Sequence, residues 1–369
     1  MFSLAAAQTK NSFPLNKYEA KKQAKKYYND FKSKILKIRS KEMEDYLITI
    51  DNLELKFDFK FFGEKPKSGW SLYFSLHGGG GVADSVNEKS WNRHKTLYNL
   101  KEGIYLVPRS PTNTWNMWHQ SHIDVFFNRL IQNMIAFHDV DPNRIFLMGY
   151  SAGGDGVYQL APRMADRFAA AAMMAGHPNE TSPLGLRNIG FTIHMGDSDS
   201  LYNRNGVAIE WKKNLKILRE NDFNGYPHFV KIHKNKGHWM GGLDTSAISW
   251  ISNFTRNPFP KRIIWKQDDV THNRFYWLKV KFPLKDALII ANITDQIITI
   301  EESTISDMII RLNDDLIDMD KKIIIKYLDK EIFNGIVPRN TITISNSINE
   351  YGDHKSIYYG ELSIFLNIE

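Results

Sequence analysis

The spacing of apolar residues changes twice within the first seventy residues of the chain. In residues 17–38, apolar side chains recur at every third or fourth position among many lysines, which predicts one amphipathic helix on the surface. The next stretch, YLITIDNLELKFDFKFF, instead alternates with a period of two on either side of Asp51-Asn52. That alternation predicts two strands joined by a tight turn.

Short and continuously apolar runs then alternate with longer amphipathic stretches as far as residue 254. Such runs are typical of strands buried on both faces, and the longer stretches are typical of helices. The predicted strands are 71–76, 103–108, 144–150, 169–175, 189–195 and 228–233, and the predicted helices are 91–101, 121–138, 153–166, 205–221 and 243–254. Repeated strand–helix–strand order predicts an α/β fold, in which a mostly parallel sheet is flanked by helices.

Pro258 and Pro260 end this alternation because neither can continue a helix. Beyond them, short β-rich segments such as TITISNSI are separated by Asn, Asp, Gly and Pro, and they predict an all-β, sandwich-like domain. We therefore expect a basic helical extension at 1–45, an α/β domain at 46–257 and a β-sandwich accessory domain at 258–369. Carbohydrate binding, partner docking and simple covering of the α/β domain are all open as roles of the accessory domain.

The net charge of +7 is concentrated near the N-terminus, where eleven Lys and Arg stand against two acidic residues between positions 10 and 41. The rest of the chain is close to neutral and lacks the cationic surface that supplies nucleic-acid affinity, so we expect no nucleic-acid partner. There is no apolar run of about 18 residues and hence no expected membrane span. The absence of cysteine excludes disulfides, thiolate metal sites and a cysteine nucleophile.

The opening MFSLAAAQTK resembles the cleavage end of a secretory signal that lacks its basic start, and it is equally typical of a frayed terminus. The sequence therefore predicts a soluble protein whose compartment, exported or cytoplasmic, stays open. The oligomeric state also stays open.

Gly149-Tyr150-Ser151-Ala152-Gly153 matches the pattern G-x-S-x-G, the sharp turn that presents a nucleophilic serine between a strand and a helix. Five letters alone are a weak signal. Here they follow the buried run RIFLM and precede a predicted helix, which is the context that the pattern requires. Ser151 is therefore the candidate nucleophile.

A serine hydroxyl needs a base to take its proton and a carboxylate to orient that base. In enzymes that carry the serine on a G-x-S-x-G turn, the acid and then the histidine follow the serine in the chain. Asp199 and Asp197 both follow the strand at 189–195, and we favour Asp199 because its position leaves room to curl back under the sheet. Of the two histidines near the last strand, His238 lies in the loop and is the candidate base. His233 lies within the strand and is expected to be structural.

The loop SLHGGGG follows the strand at 71–76, where backbone N–H groups can stabilise an oxyanion and a side chain would block the substrate. Gly79, Gly80 and Ala152 are the expected donors. Trp115, Trp118 and His119 follow another strand end, and we name them as substrate-binding candidates, with anchoring of their loop as the alternative. The other histidines show no metal-ligand spacing, so no metal site is expected.

Together, HGGGG, DPNRIFLMGYSAGG, GDSD and GHWM resemble the α/β-hydrolase superfamily over about residues 46–255. The run before the serine is similar to dienelactone-hydrolase, polyhydroxybutyrate-depolymerase-like and prolyl-oligopeptidase-like enzymes, although the cysteine of the dienelactone type is missing. The resemblance implies an acyl-transfer hydrolase with no metal and no organic cofactor. Among such enzymes we favour a serine hydrolase that cleaves small carboxylic esters through an acyl-enzyme. The alternatives are a serine peptidase for small peptides and an inactive hydrolase-fold binding protein.

Overall fold

The computed structural model describes residues 14–368, and the signal-like opening of the chain lies outside them. The chain divides into two compact units, one from Ile35–Asn257 and the other combining the chain up to Lys34 with the part from Pro258 onward. The α-helices are α1 (Lys17–Ile38), α2 (Ser40–Glu44), α3 (Asp84–His94), α4 (Ser121–His138), α5 (Ala152–Arg163), α6 (Arg204–Asn221), α7 (Ser246–Ile251) and α8 (Thr341–Tyr351).

The larger unit is built on an eight-stranded sheet with the order β1-β2-β4-β3-β5-β6-β7-β8. Its strands are β1 (Leu47–Ile50), β2 (Leu53–Phe62), β3 (Trp70–Leu76), β4 (Gly103–Pro108), β5 (Val140–Tyr150), β6 (Ala170–Met174), β7 (Gly190–Gly196) and β8 (His228–His233). Strands β3 to β8 run parallel, whereas β2 is antiparallel to both of its neighbours. This unit has the α/β-hydrolase fold, which confirms the predicted fold class.

Helices cover both faces of this sheet. Phe146 and Met148 pack in one core cluster with Trp91 of α3 and Ile248 of α7. On the opposite face, Gly153 of α5 lies so close to the backbone of β3 that a methyl group on it would come within 2.0 Å of the Leu76 carbonyl oxygen. Burial on both faces explains why the strands are continuously apolar.

The remaining strands form two sheets in the second unit, which is the antiparallel β-rich region expected at the C-terminus. One has the order β10-β11-β14-β17, and the other has the order β16-β15-β13-β12-β9 and contains one parallel pair, β13 with β15. The strands are β9 (Arg262–Lys266), β10 (Arg274–Phe275), β11 (Leu278–Lys279), β12 (Leu288–Thr294), β13 (Ile297–Ser303), β14 (Asp307–Leu312), β15 (Ile323–Tyr327), β16 (Lys330–Gly335) and β17 (Gly360–Phe365).

Two helices differ from the sequence-based expectation. TITISNSI, expected as a strand, lies in α8, because the Asn340 side chain accepts a hydrogen bond from the N–H of Thr343 and caps the helix. The helix expected at 91–101 is α3, which ends at His94; Trp91 and His94 are both buried in it, and the chain turns directly afterwards.

Candidate active site

Ser151 occupies a sharp turn between β5 and α5 and adopts φ 59° and ψ −124°. A residue with a side chain pays on the order of 1–3 kcal/mol for such a backbone, so the surrounding structure must hold it there. The N–H of Ser151 donates to the carbonyl oxygen of Met174 at 3.0 Å. Small neighbours are also required, because a methyl group on Gly149 would lie 2.2 Å from the carbonyl oxygen of Gly153.

Two later loops bring His238 and Asp199 to this turn. The Nε2 atom of His238 lies 2.8 Å from Ser151 Oγ, and its Nδ1 atom lies 2.7 Å from Asp199 Oδ2. Asp199 is almost fully buried, and the guanidinium of Arg204 lies 3.7 Å from its other carboxylate oxygen. The three side chains therefore form one continuous chain of hydrogen bonds from a carboxylate to a hydroxyl.

Asp197, the alternative acid, has a different set of partners. Its carboxylate accepts hydrogen bonds from the Ser198 hydroxyl at 2.8 Å and from the backbone N–H groups of Asn235 and Lys236 at 3.0 and 3.3 Å. These hydrogen bonds lower the pKa of Asp197, and the bond from the Ser198 hydroxyl contributes most. Asp197 thus holds the start of the loop that carries His238.

His233 lies in β8 and faces the core. Its Nε2 atom is 3.1 Å from Nδ1 of His194, and burial lowers the pKa of both rings. This pair makes no contact with the Ser151 hydroxyl, in keeping with a structural role.

The glycine loop after β3 lies directly beside Ser151, since a methyl group on Gly78 would be 3.6 Å from Ser151 Oγ. Gly79 has φ +121°, and a methyl group there would come within 2.0 Å of Asn87 Oδ1. The N–H of Gly80 donates to the same Asn87 oxygen at 3.0 Å, which departs from its expected role as an oxyanion donor. Gly79 and Ala152, the first residue of α5, are the candidate donors that are left.

The three substrate-binding candidates occupy different environments. Trp118 is fully buried, and its indole N–H donates to the carbonyl oxygen of His77 at 3.0 Å, so it anchors its loop to the end of β3 instead of lining a pocket. Trp115 is 63% exposed and packs beside Gly80. His119 is mostly buried, and its ring meets Trp115 edge to face at 5.5 Å.

Sequence reasoning did not single out Asn87, Tyr150 or Trp239 for the site. Asn87 is buried and holds Gly80 through both its oxygen and its amide. Tyr150 bonds the backbone of the loop that carries His238, and Trp239 is half exposed beside Tyr150. The sequence signals available were the positions of Tyr150 next to Ser151 and of Trp239 next to the candidate base, whereas Asn87 had none.

Burial perturbs the pKa of two ionisable side chains near Ser151. It raises the pKa of Asp155, one turn into α5, to about 6, although the carboxylate accepts a hydrogen bond from the N–H of His177 at 2.6 Å. It lowers the pKa of His77 to about 3, so that this ring is neutral near pH 7. A neutral His77 can bond Gly78 and Ser110 on its two sides and thereby hold the glycine loop.

No family model and no curated protein sequence match the chain. Solved structures with a similar fold include a thermostable esterase, at 17% identity and a TM-score of 0.46, over 57% of this chain and 62% of that one. A ferulic acid esterase matches at 15% identity and a TM-score of 0.40, over 56% of this chain and 94% of that one. LpqC, a poly(3-hydroxybutyrate) depolymerase from Bordetella parapertussis, matches at 14% identity and a TM-score of 0.41, over 57% and 90%.

At these identities the fold assignment rests on the strand order and directions of the sheet itself. Within residues 14–368, no helix combines the length and the apolar character that a bilayer crossing requires.

Proposed function

We propose that the protein is a serine hydrolase that cleaves carboxylic esters through an acyl-enzyme intermediate. The observation that carries the proposal is the unbroken chain of hydrogen bonds from Asp199 through His238 to Ser151 Oγ. A hydroxyl becomes a useful nucleophile when a neutral imidazole can take its proton, and a buried carboxylate stabilises the imidazolium that results.

In the proposed acylation, Ser151 Oγ attacks the ester carbonyl carbon as its proton passes to His238 Nε2. The tetrahedral intermediate then collapses, the bond to the alcohol oxygen breaks, and Nε2 returns the proton to the leaving alcohol. In deacylation a water gives its proton to Nε2 and attacks the acyl carbon, and Ser151 leaves with that proton. Throughout, the Asp199 side chain accepts the hydrogen bond from Nδ1–H of His238.

The oxyanion is assigned to the N–H groups of Gly79 and Ala152. Ala152 begins α5, so its N–H has no acceptor within the helix and lies at the positive end of the helix dipole. Removing one such donor from an acyl-transfer enzyme costs about 2.7–4 kcal/mol of transition-state stabilisation. Asn87 has the supporting role, because its side chain accepts from the N–H of Gly80 and donates to the carbonyl oxygen of Gly80.

The proposed substrates are small esters that reach an open site. The side chain of His238 is 42% exposed, and Trp115 and Trp239 are exposed on the loops next to Gly80 and His238. We assign these two indoles to the wall that contacts the acyl or alcohol group. Trp118 is excluded from this wall because it is fully buried.

The test compares turnover of short p-nitrophenyl esters with that of aminoacyl anilides, using Ser151→Ala as the matched control. Ester turnover that is lost in Ser151→Ala supports the proposal. Faster turnover of the anilides would assign the site to a peptidase. No Ser151-dependent turnover of any substrate would instead indicate an inactive hydrolase-fold binding protein.

A further inference from the structure

The loop of residues 234–242, which carries His238, is anchored near its far end by Met240, whose side chain is fully buried in the core. Methyl groups placed on Gly237 or Gly242 would touch nothing within 4 Å, so these positions add no packing contacts. At the start of the loop, the carboxylate of Asp197 accepts from Asn235 N–H and Lys236 N–H. The backbone at His238 and Trp239 lies between those bonds and the buried side chain of Met240.

The hydroxyl of Tyr150 bonds that backbone twice. It donates to the carbonyl oxygen of His238 at 2.6 Å and accepts from the N–H of Met240 at 3.0 Å. A phenol has one O–H to donate. Here Tyr150 donates it to the carbonyl oxygen of His238, before Trp239, and its oxygen accepts from the N–H of Met240, after Trp239. The two bonds therefore clamp the peptide groups on either side of Trp239.

Tyr150 is itself held firmly. It is the last residue of β5 and is only 7% exposed, and its ring lies 5.4 Å from the ring of Trp239. Burial raises the pKa of the Tyr150 phenol, so the hydroxyl keeps the proton that it donates. Tyr150 also directly precedes Ser151 in the chain, so one residue connects the turn of the nucleophile to the loop of the base.

We propose that Tyr150 is a positioning residue for His238, which sets the distance between Ser151 Oγ and His238 Nε2 by clamping the backbone around Trp239. The inference rests on the proposed function, because it assigns Tyr150 a part in that same reaction. A misplacement of the base by about 1 Å can cost on the order of 100-fold in rate, whereas substrate contacts made elsewhere are unaffected.

The first experiment compares Tyr150→Phe with Tyr158→Phe. Tyr158 is a matched control because it is buried in α5 and its hydroxyl has no hydrogen-bond partner in the described part of the chain. We expect Tyr150→Phe to lower kcat and the rate of fluorophosphonate labelling by roughly 10- to 100-fold with KM little changed. Tyr158→Phe should leave all three near the wild-type values. Equal kcat and labelling rates in Tyr150→Phe and the wild type would overturn the positioning role.

The second experiment measures amide hydrogen exchange, first in the wild-type protein and then in Tyr150→Phe. The amide of Met240 should exchange slowly, whereas that of Trp239, which has no acceptor among residues 14–368, should exchange fast. Tyr150→Phe should remove the protection at Met240. Equally fast exchange at both wild-type amides would overturn the clamp. A wild-type protein that fluorophosphonates fail to label would instead refute the proposed function.

Discussion

His238 Nε2 lies 2.8 Å from Ser151 Oγ, although the two residues are separated by 87 positions in the sequence. Their proximity follows from the sheet, because β5 and β8 run in the same direction and release their following loops at the same edge. A base and a nucleophile brought together in this way need only a carboxylate to complete the proposed machinery.

The two carboxylates after β7 should respond differently to loss of charge. We expect Asp199→Asn to lower kcat by about four orders of magnitude, because the amide cannot stabilise an imidazolium and can favour the wrong tautomer of His238. Asp197→Asn keeps an oxygen that can accept from the loop N–H groups and should reduce kcat only a few-fold. Steady-state kinetics on one ester decides the matter, and the reverse order of effects would make Asp197 the acid.

Asp155 should make folding less favourable as the pH rises. Its pKa in the folded protein is raised to about 6 from the usual 3.8, so the folded state holds a proton that the unfolded state has already released. The resulting stability is present below about pH 4 and is lost between pH 4 and 6, at a cost of about 3 kcal/mol. Urea unfolding measures the free energies of unfolding of the wild type and of Asp155→Asn. From pH 4 to 6 the variant should become more stable relative to the wild type. A difference between the two that does not change with pH would contradict the prediction.

Three buried histidines should destabilise the protein in acid. Burial lowers the pKa of His77, His94 and His194 to about 3, so between pH 6.5 and 3 the unfolded chain binds protons that the folded chain refuses. Stability should fall as the pH drops through 6.5, by about 1 kcal/mol per histidine at pH 5.5.

Urea unfolding of Asp155→Asn at pH 7.5 and 5.5 measures this loss without the opposing effect of the Asp155 carboxyl. Adding His94→Gln should reduce the difference by the share of one such histidine, about 1 kcal/mol. Equal free energies of unfolding at the two pH values would contradict the expectation that these rings stay neutral.

Substitutions of Trp115 and Trp118 should have different effects, one on substrate binding and the other on the free energy of unfolding. Trp118→Phe removes the donor to the buried carbonyl of His77 and leaves unfilled volume, so we expect a loss of about 1–3 kcal/mol in unfolding free energy. Trp115→Ala changes an exposed side chain and should alter stability by less than about 0.5 kcal/mol while raising KM for bulky esters. A KM for bulky esters that Trp115→Ala leaves unchanged would remove Trp115 from the proposed substrate wall.

Local sequence patterns predicted much of the fold, because strands that are buried on both faces are continuously apolar in sequence. They failed in the C-terminal unit at Thr341–Tyr351, where β-branched residues favour a strand but the Asn340 cap and burial at three- and four-residue spacing make a helix. Tertiary packing overrode local propensity there.

The positions of Ser151, Asp199 and His238 could be proposed from chain order relative to the strands, since each loop leaves the same edge of the sheet. The hydrogen bonds of Asn87 and Tyr150 could not, because each joins a residue to a backbone group that no local pattern connects with it. The burial of Trp118 could not be predicted either. Trp115 and Trp118 lie in the same loop, and their different exposure to solvent follows from tertiary packing.

The most direct test of the proposed function is covalent labelling with a fluorophosphonate, followed by mass spectrometry of the labelled peptide. We expect one phosphonyl group per chain on Ser151, no labelling of Ser151→Ala, and much slower labelling of His238→Ala. Labelling at another residue, or none under conditions in which the wild-type protein is folded, would contradict it.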